Sequence, residues 1–335
     1  MSAFLLSLLL GLSANSYAGK PAAKPAAKPE VKAAAVVAPL PNLCIFGGQS
    51  GKTFGDLASF KTVIWKSDVI YAGGADGQQK DQEARLEILK TLREARSSKI
   101  AVGFEAVNIP LQPVLDDYSA GKISEEDFLQ KTGWQNNSGV DFSFYKPLFA
   151  FIIQNKLRAL ALGIPKETIF KIEREGAAAL TGDEKKILPE TANIIKHKKY
   201  LDHLKASYAG FGAAAAAGAP LNWDNYLSAV SSWNEGAGAK IAEFVNANPG
   251  WSVLVAASND RFIYNAALPA SVKSRTMKIR QASFYVEDGA KCPETLPADH
   301  KDLANYVWYI NHPKPLPAVS TSTSPSPAAE PGKKI

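Results

Sequence analysis

Three short polar stretches of the chain carry side chains able to bind or to catalyse. The first is VIYAGGADGQQKD at 69–81, where Gly73, Gly74 and Gly77 make a turn that also holds Asp76 and Asp81. The second is Glu105, which follows the apolar run AVGF directly. The third is ASNDRFIY at 257–264, which contributes Asn259, Arg261 and Tyr264. A carboxylate at the end of an apolar strand is costly unless it meets a cation, a metal or backbone donors. Arg261 and Lys166 are the cations that would tie down Glu105 as a structural bridge; a ligand-contacting or catalytic Glu105 is the alternative. Asp81 suits the N-cap or first turn of the helix that follows. Asp76 either shapes the glycine turn or faces Glu105. Converging carboxylates would suit a hard cation or a neighbouring arginine. Arginine is neither a base nor a metal ligand at neutral pH, but it grips carboxylates in two-pronged fashion. The specific expectation is therefore an Arg261–Glu105 or Arg261–Asp76 bridge.

Other chemistries lack their residues. GGADG has neither the spacing of a dinucleotide loop nor a following Lys-Ser/Thr pair, and SGKTFGD at 50–56 lacks the glycine that a phosphate-binding loop needs before its Gly-Lys. The histidines are His197, His203, His300 and His312; none is expected at the rim, and no two have zinc-helix spacing. There is no G-x-S-x-G elbow for a serine nucleophile. The net charge of +6 owes much to lysines near the two ends, and no basic stripe interleaves with aromatics, so nucleic acid is not an expected partner. Aromatics are dense between 110 and 155, and most should be core. Tyr118 and Tyr145 are the candidates to line a flat apolar cleft, since a tyrosinate can ligate haem iron.

Strand-like runs at 69–72, 100–104, 157–162 and 252–257 alternate with segments of helical period, the signature of a mainly parallel α/β sheet flanked by helices. Residues 82–95 place Leu86, Leu89 and Leu92 on one stripe. The segment 276–286 alternates as a strand at or near an edge would, with an antiparallel direction allowed. Between 110 and 155 no strand appears; helices at 114–118, 125–131 and 145–155 form an insertion, expected as a lid over the strand C-terminal ends. Residues 190–227 form a second helical layer. In such sheets ligands bind beyond the carboxyl ends of the strands, where all three polar stretches fall.

The ends differ from the middle. Residues 1–18 have the short apolar run and small-x-small ending of an export signal. Residues 19–41, rich in Pro, Lys and Ala, read as a disordered tether, and 311–335 as a disordered tail. The folded unit is then 42–310. Cys44 and Cys292 lie near its two ends; in an exported protein they either pair or remain independent thiols.

Taken in order, GFEAVNIPLQPVLDDYSAGKISEEDFLQKTGW, GVDFSFYKPLFAF and ALALGIPKETIFKIEREG resemble the ChaN-like family of iron-regulated, haem-associated proteins, grouped with TIKI metallohydrolases, TraB-like proteins and erythromycin esterases. Glu105, Gln112, Pro113, Tyr118, Trp134, Tyr145, Pro147, Pro165 and Trp233 match the family. Its opening pattern Y-x-G-E-x-H-D-N-x-x-H falls on Tyr71 to Asp81, with Gly74, Asp76, Gly77 and Asp81 in place of Glu, His, Asp and His. Its later A-G-x-G-H-x-x-Y-G-x-G-I-P falls on Ala257 to Pro269, where Arg261 replaces the histidine and Tyr264 is kept. The resemblance implies an α/β protein of the bacterial envelope, periplasmic or outer-envelope associated, linked to haem or iron uptake, with pairing of two copies as one arrangement.

The resulting expectation is an exported, non-catalytic ligand-binding protein with haem as candidate cofactor. Its candidate ligand-binding residues are Glu105, Asp76, Arg261, Tyr118, Tyr145, Lys166 and Tyr264. A cell-envelope structural or interaction protein on a degenerate scaffold is the first alternative. A divergent hydrolase using carboxylates is the second.

Overall fold

The computed structural model describes residues 44–54, 57–74, 77–190, 193–214, 222–287 and 291–310, the side chains of 210–214 excepted. The export segment, the tether, the tail and Asp76 lie outside the described residues.

The chain runs β1 (Cys44–Gly47), α1 (Leu57–Lys66), β2 (Val69–Ala72), α2 (Gln79–Arg96) and β3 (Ile100–Asn108), then the insertion: α3 (Gln112–Ser119), α4 (Glu125–Thr132), α5 (Trp134–Ser138) and α6 (Lys146–Asn155). It continues through β4 (Arg158–Gly163), α7 (Lys166–Glu175), α8 (Gly182–Lys185), α9 (Lys198–Ala214), α10 (Trp223–Ala247), β5 (Ser252–Ala256), α11 (Leu268–Arg275), β6 (Gln281–Glu287) and β7 (Tyr306–Tyr309). The strands form one seven-stranded sheet in the order β1-β7-β6-β2-β5-β3-β4. Every neighbouring pair is parallel except β1 with β7. Strands covered on both faces lack polar alternation, which is why VIYA and SVLVA read as unbroken buried runs.

β6 corrects an expectation. It is not an edge but lies inside the sheet, parallel to both β7 and β2. Ser283, which alternation assigns to solvent, is fully buried and donates its hydroxyl to Asn265 Oδ1 at 2.7 Å. A satisfied buried hydroxyl imitates an exposed one in sequence. The helix after Gly77 begins at Gln79 with Gln78 as N-cap, so Asp81 is a first-turn acid and not the cap.

One face of the sheet packs Ile70, Val102, Phe104 and Leu254 against α1, α2 and the insertion. The other packs Tyr71, Leu162, Val253 and Val255 against α10 and α11. The insertion brings an aromatic core of its own. Phe149 stacks on Phe104 at 4.5 Å between ring centroids, and Tyr118 stacks on Phe128 at 4.3 Å. A disulfide joins Cys44 to Cys292, pinning β1 to the segment before β7 across a separation of 248 residues. In the chain-entropy account, a cross-link over so long a loop stabilises the fold by about 5 kcal/mol.

Candidate functional site

The rim is built from the strand ends inward. β3 pairs regularly with β4 and β5 up to Phe104, then its register against β4 shifts before Asn108. Such an irregularity re-aims side chains, and here Glu105 turns toward the loop after β5. Its Oε2 accepts from the Ser258 N–H at 3.2 Å, and its Oε1 lies 2.7 Å from Arg261 Nε. The Arg261 and Glu105 side chains are 15% and 10% exposed, so this is a largely buried ion pair. Arg261 also lies flat on the ring of Trp233 from α10, its Cζ 3.6 Å from the ring centroid. The Arg261–Glu105 bridge expected from the sequence is thus present, and Lys166 is the cation left out of it. Lys166 Nζ instead donates to the Asn136 carbonyl at 3.3 Å, joining α7 to the insertion.

Asn259 gathers the loops. Its Oδ1 accepts from Gly74 N–H at 3.0 Å and Val286 N–H at 3.2 Å, while its Nδ2 donates to the Val286 carbonyl at 2.9 Å. Gly73 has to be glycine, because a Cβ there would run into Asn259 and Phe262. The buried Asp81 side chain lies against Gly74. Arg85, fully buried on α2, donates to the Ala72 carbonyl at 3.3 Å and the Ala257 carbonyl at 2.8 Å, joining the ends of β2 and β5. The sequence carried a signal for Arg85: with Gln82, Leu86 and Leu89 it shares the inward face of the helix.

α9 folds over the loop after β5. Tyr200 donates its hydroxyl to the Asp260 carbonyl at 2.7 Å, and His203 Nε2 lies 3.2 Å from Asp260 Oδ1. The hydrogen bond from His203 holds the Asp260 carboxyl below its usual range, against the opposing effect of burial. The same bond holds the His203 imidazole above its usual value. His197 stacks on Tyr264 at 5.8 Å, and Lys199 pairs with Asp302 at 3.1 Å. Gln49, His197, Lys199, Tyr264, Asn265 and Asp302 line a cleft of about 240 Å³. Tyr264, Asn265 and Asp302 have φ of +61°, +49° and +65°, a left-handed backbone that non-glycine residues adopt at a cost. Two histidines therefore do reach the rim, correcting the sequence expectation. They come from α9 and the residue just before it, about sixty residues away along the chain, so only the fold brings them there.

Tyr118 and Tyr145 do not line an open cleft. They are 6% and 3% exposed, enclosed by Phe128, Phe142, Phe149, Phe104 and Trp134. A phenol ring filling a dry aromatic core looks the same in sequence as one lining a pocket. Among the described residues, no three His, Cys, Asp or Glu side chains converge as a metal set.

The family model described as "Haem-binding uptake, Tiki superfamily, ChaN" matches residues 62–272. Among solved structures the chain is similar to ChaN of Campylobacter jejuni, described with cofacial haem binding, at 14% identity and a TM-score of 0.57, covering 79% of this chain and 95% of that one. It is more distantly similar to a type III effector, at 9% identity and a TM-score of 0.41, covering 82% and 99%. An erythromycin esterase is comparable, at 12% identity and a TM-score of 0.40, covering 73% and 77%. No curated protein matches the sequence.

Proposed function

The chain belongs to the haem-binding uptake family ChaN of the Tiki superfamily, and from that membership we propose an exported, non-catalytic protein that binds haem or another flat apolar ligand. The observation that carries the non-catalytic part is the Glu105–Arg261 pair at 2.7 Å. Arg261 stands where the family pattern has a histidine, and a guanidinium neither takes up a proton nor ligates a metal at neutral pH. Among the described residues, Glu105 and Asp260 are both engaged in pairs, which supports a preset polar surface for binding.

Haem iron accepts a tyrosinate or imidazole donor. Tyr118 and Tyr145 do not fit that role, being sealed in the insertion core. Tyr264 fits: it lines the open cleft, its hydroxyl makes no hydrogen bond among the described residues, and the Lys199 ammonium lies 5.8 Å from its ring centroid. Tyr264 is the residue that would hold the iron through its phenol oxygen, and haem, when bound, would supply the visible absorbance. At about 240 Å³ the cleft is below the roughly 300–1,000 Å³ of sites that enclose drug-sized ligands, so it would take in only part of a haem.

Titrating the purified protein with haemin tests the reading. A saturable shift of the main absorbance band is expected, lost in Tyr264→Phe and kept in Tyr118→Phe. Absence of any saturable shift removes haem as the cargo. The export part rests on residues 1–18 and is checked by the N-terminal residue of the mature protein recovered from the envelope fraction.

A further inference from the structure

We infer that the outer edge of Arg261 is a carboxylate-recognition point, so that the ligand of this rim is a flat apolar molecule bearing an acidic group. The inference rests on the binding reading above and gives it a chemical class. Arg261 is fixed on two sides: Glu105 meets Nε at 2.7 Å and Trp233 covers one face at 3.6 Å. Its two Nη groups make no hydrogen bond to any described residue, although the side chain is only 15% exposed. A guanidinium held on two sides, with its Nη groups turned to the surface and unused by the described residues, is preorganised for an acceptor, and a carboxylate matches that fork in two-pronged fashion.

Among the described residues, the two neighbouring acids leave that edge clear. Glu105 sits on the Nε side and shares its charge with the Ser258 amide, while Asp260 is engaged by His203. The surroundings suit a flat body beside the acid. Trp233 lies under the guanidinium, and the half-buried Tyr226 is near enough that the Arg261 charge acts on its phenol. At this position a histidine would offer one lone pair to a metal, whereas Arg261 offers only donors. The substitution therefore changes what the rim can hold, from a cation to an anion.

The test compares metal-free protoporphyrin IX with its dimethyl ester, read by porphyrin fluorescence, and naphthalene-2-carboxylate with its amide, read by perturbation of indole resonances. The acids should bind about tenfold or more tightly than their neutral partners, the range expected of a charge-assisted bond. Arg261→Gln should collapse that preference, and Arg261→Lys, which keeps the charge and loses the fork, should retain only part of it. Glu105→Gln, with Arg261 no longer partly neutralised, should tighten the acids and leave the ester unchanged. Equal binding of acid and neutral partner to the wild-type protein overturns the carboxylate point and leaves the flat-ligand reading standing. Loss of porphyrin binding alone, with the naphthalene preference intact, sinks the haem-class reading and keeps the carboxylate point. Failure of both pairs to bind overturns both.

Discussion

The insertion core and the rim are both rich in rings, yet they are put to opposite uses. In the insertion, Trp134 meets Phe142 at 5.1 Å and Tyr145 at 5.3 Å, and Phe149 lies 5.5 Å from both Phe128 and Phe142. The rings pack on one another and fill the core, with the Trp134 indole N–H donating to the Val140 carbonyl at 2.8 Å. At the rim, Trp233 faces a guanidinium and Tyr264 faces an imidazole, on a left-handed backbone. Here the rings are half of a polar arrangement, and strain is tolerated to hold it. Aromatic density marks the core of this protein; at the site a buried, ion-paired guanidinium lies on an aromatic face.

Four perturbations would break or sharpen that contrast. The largest effect is expected in the insertion: Phe149→Ala should lower stability by about 3–5 kcal/mol through the cavity it leaves, measured as a shift of the denaturation midpoint. Haemin affinity per folded molecule should not change; a loss of affinity without loss of stability would make the cluster a pocket after all. At the rim, Glu105→Ala leaves the Arg261 charge uncompensated and should cost about 2–4 kcal/mol, much of it recovered in Glu105→Ala/Arg261→Ala. A double variant as unstable as the sum of the two singles would show that the pair is not coupled.

Asn259→Ala removes the bonds to Gly74 and Val286 and should cost about 2 kcal/mol. Faster hydrogen exchange at the Gly74 and Val286 amides is the readout, with the insertion amides unaffected. The smallest effect belongs to the His203–Asp260 pair, whose side chains are 33% and 68% exposed, so screening keeps it to about 1 kcal/mol or less. The imidazole is held above its usual value, so its contribution is full below the unfolded histidine pKa and is lost as pH rises through the raised folded value. The carboxyl is held below its range, so its contribution is present above the unfolded carboxyl pKa and is lost as pH falls through the lowered one. The window lies between, and Asp260→Asn should return the His203 titration, followed by NMR, toward about 6.5.

The parallel α/β architecture was legible because β2, β3, β4 and β5 are continuous apolar runs, which only strands covered on both faces need. β1 and β7 gave no such signal: each is four residues long, and their pairing joins opposite ends of the described chain. β6 misled because Ser283 and Gln281 find partners inside, in Asn265 and Tyr71. At the site, Glu105 and Arg261 could be paired from sequence because an acid at a strand end demands a cation. The places of Arg85, His203 and Trp233 could not be read in the same way. Their partners are backbone carbonyls or side chains far along the chain, and no local pattern announces a contact across a sheet end.

By itself the sequence determined which groups must be neutralised, which runs must be buried and which turn needs glycine, since those follow from solvation and local sterics along a few residues. The tertiary structure decided which ring meets solvent, which histidine reaches the rim and which edge of Arg261 stays open. Those outcomes depend on how helices some ninety residues or more from Glu105 settle over the strand ends, and short-range energetics do not encode that placement.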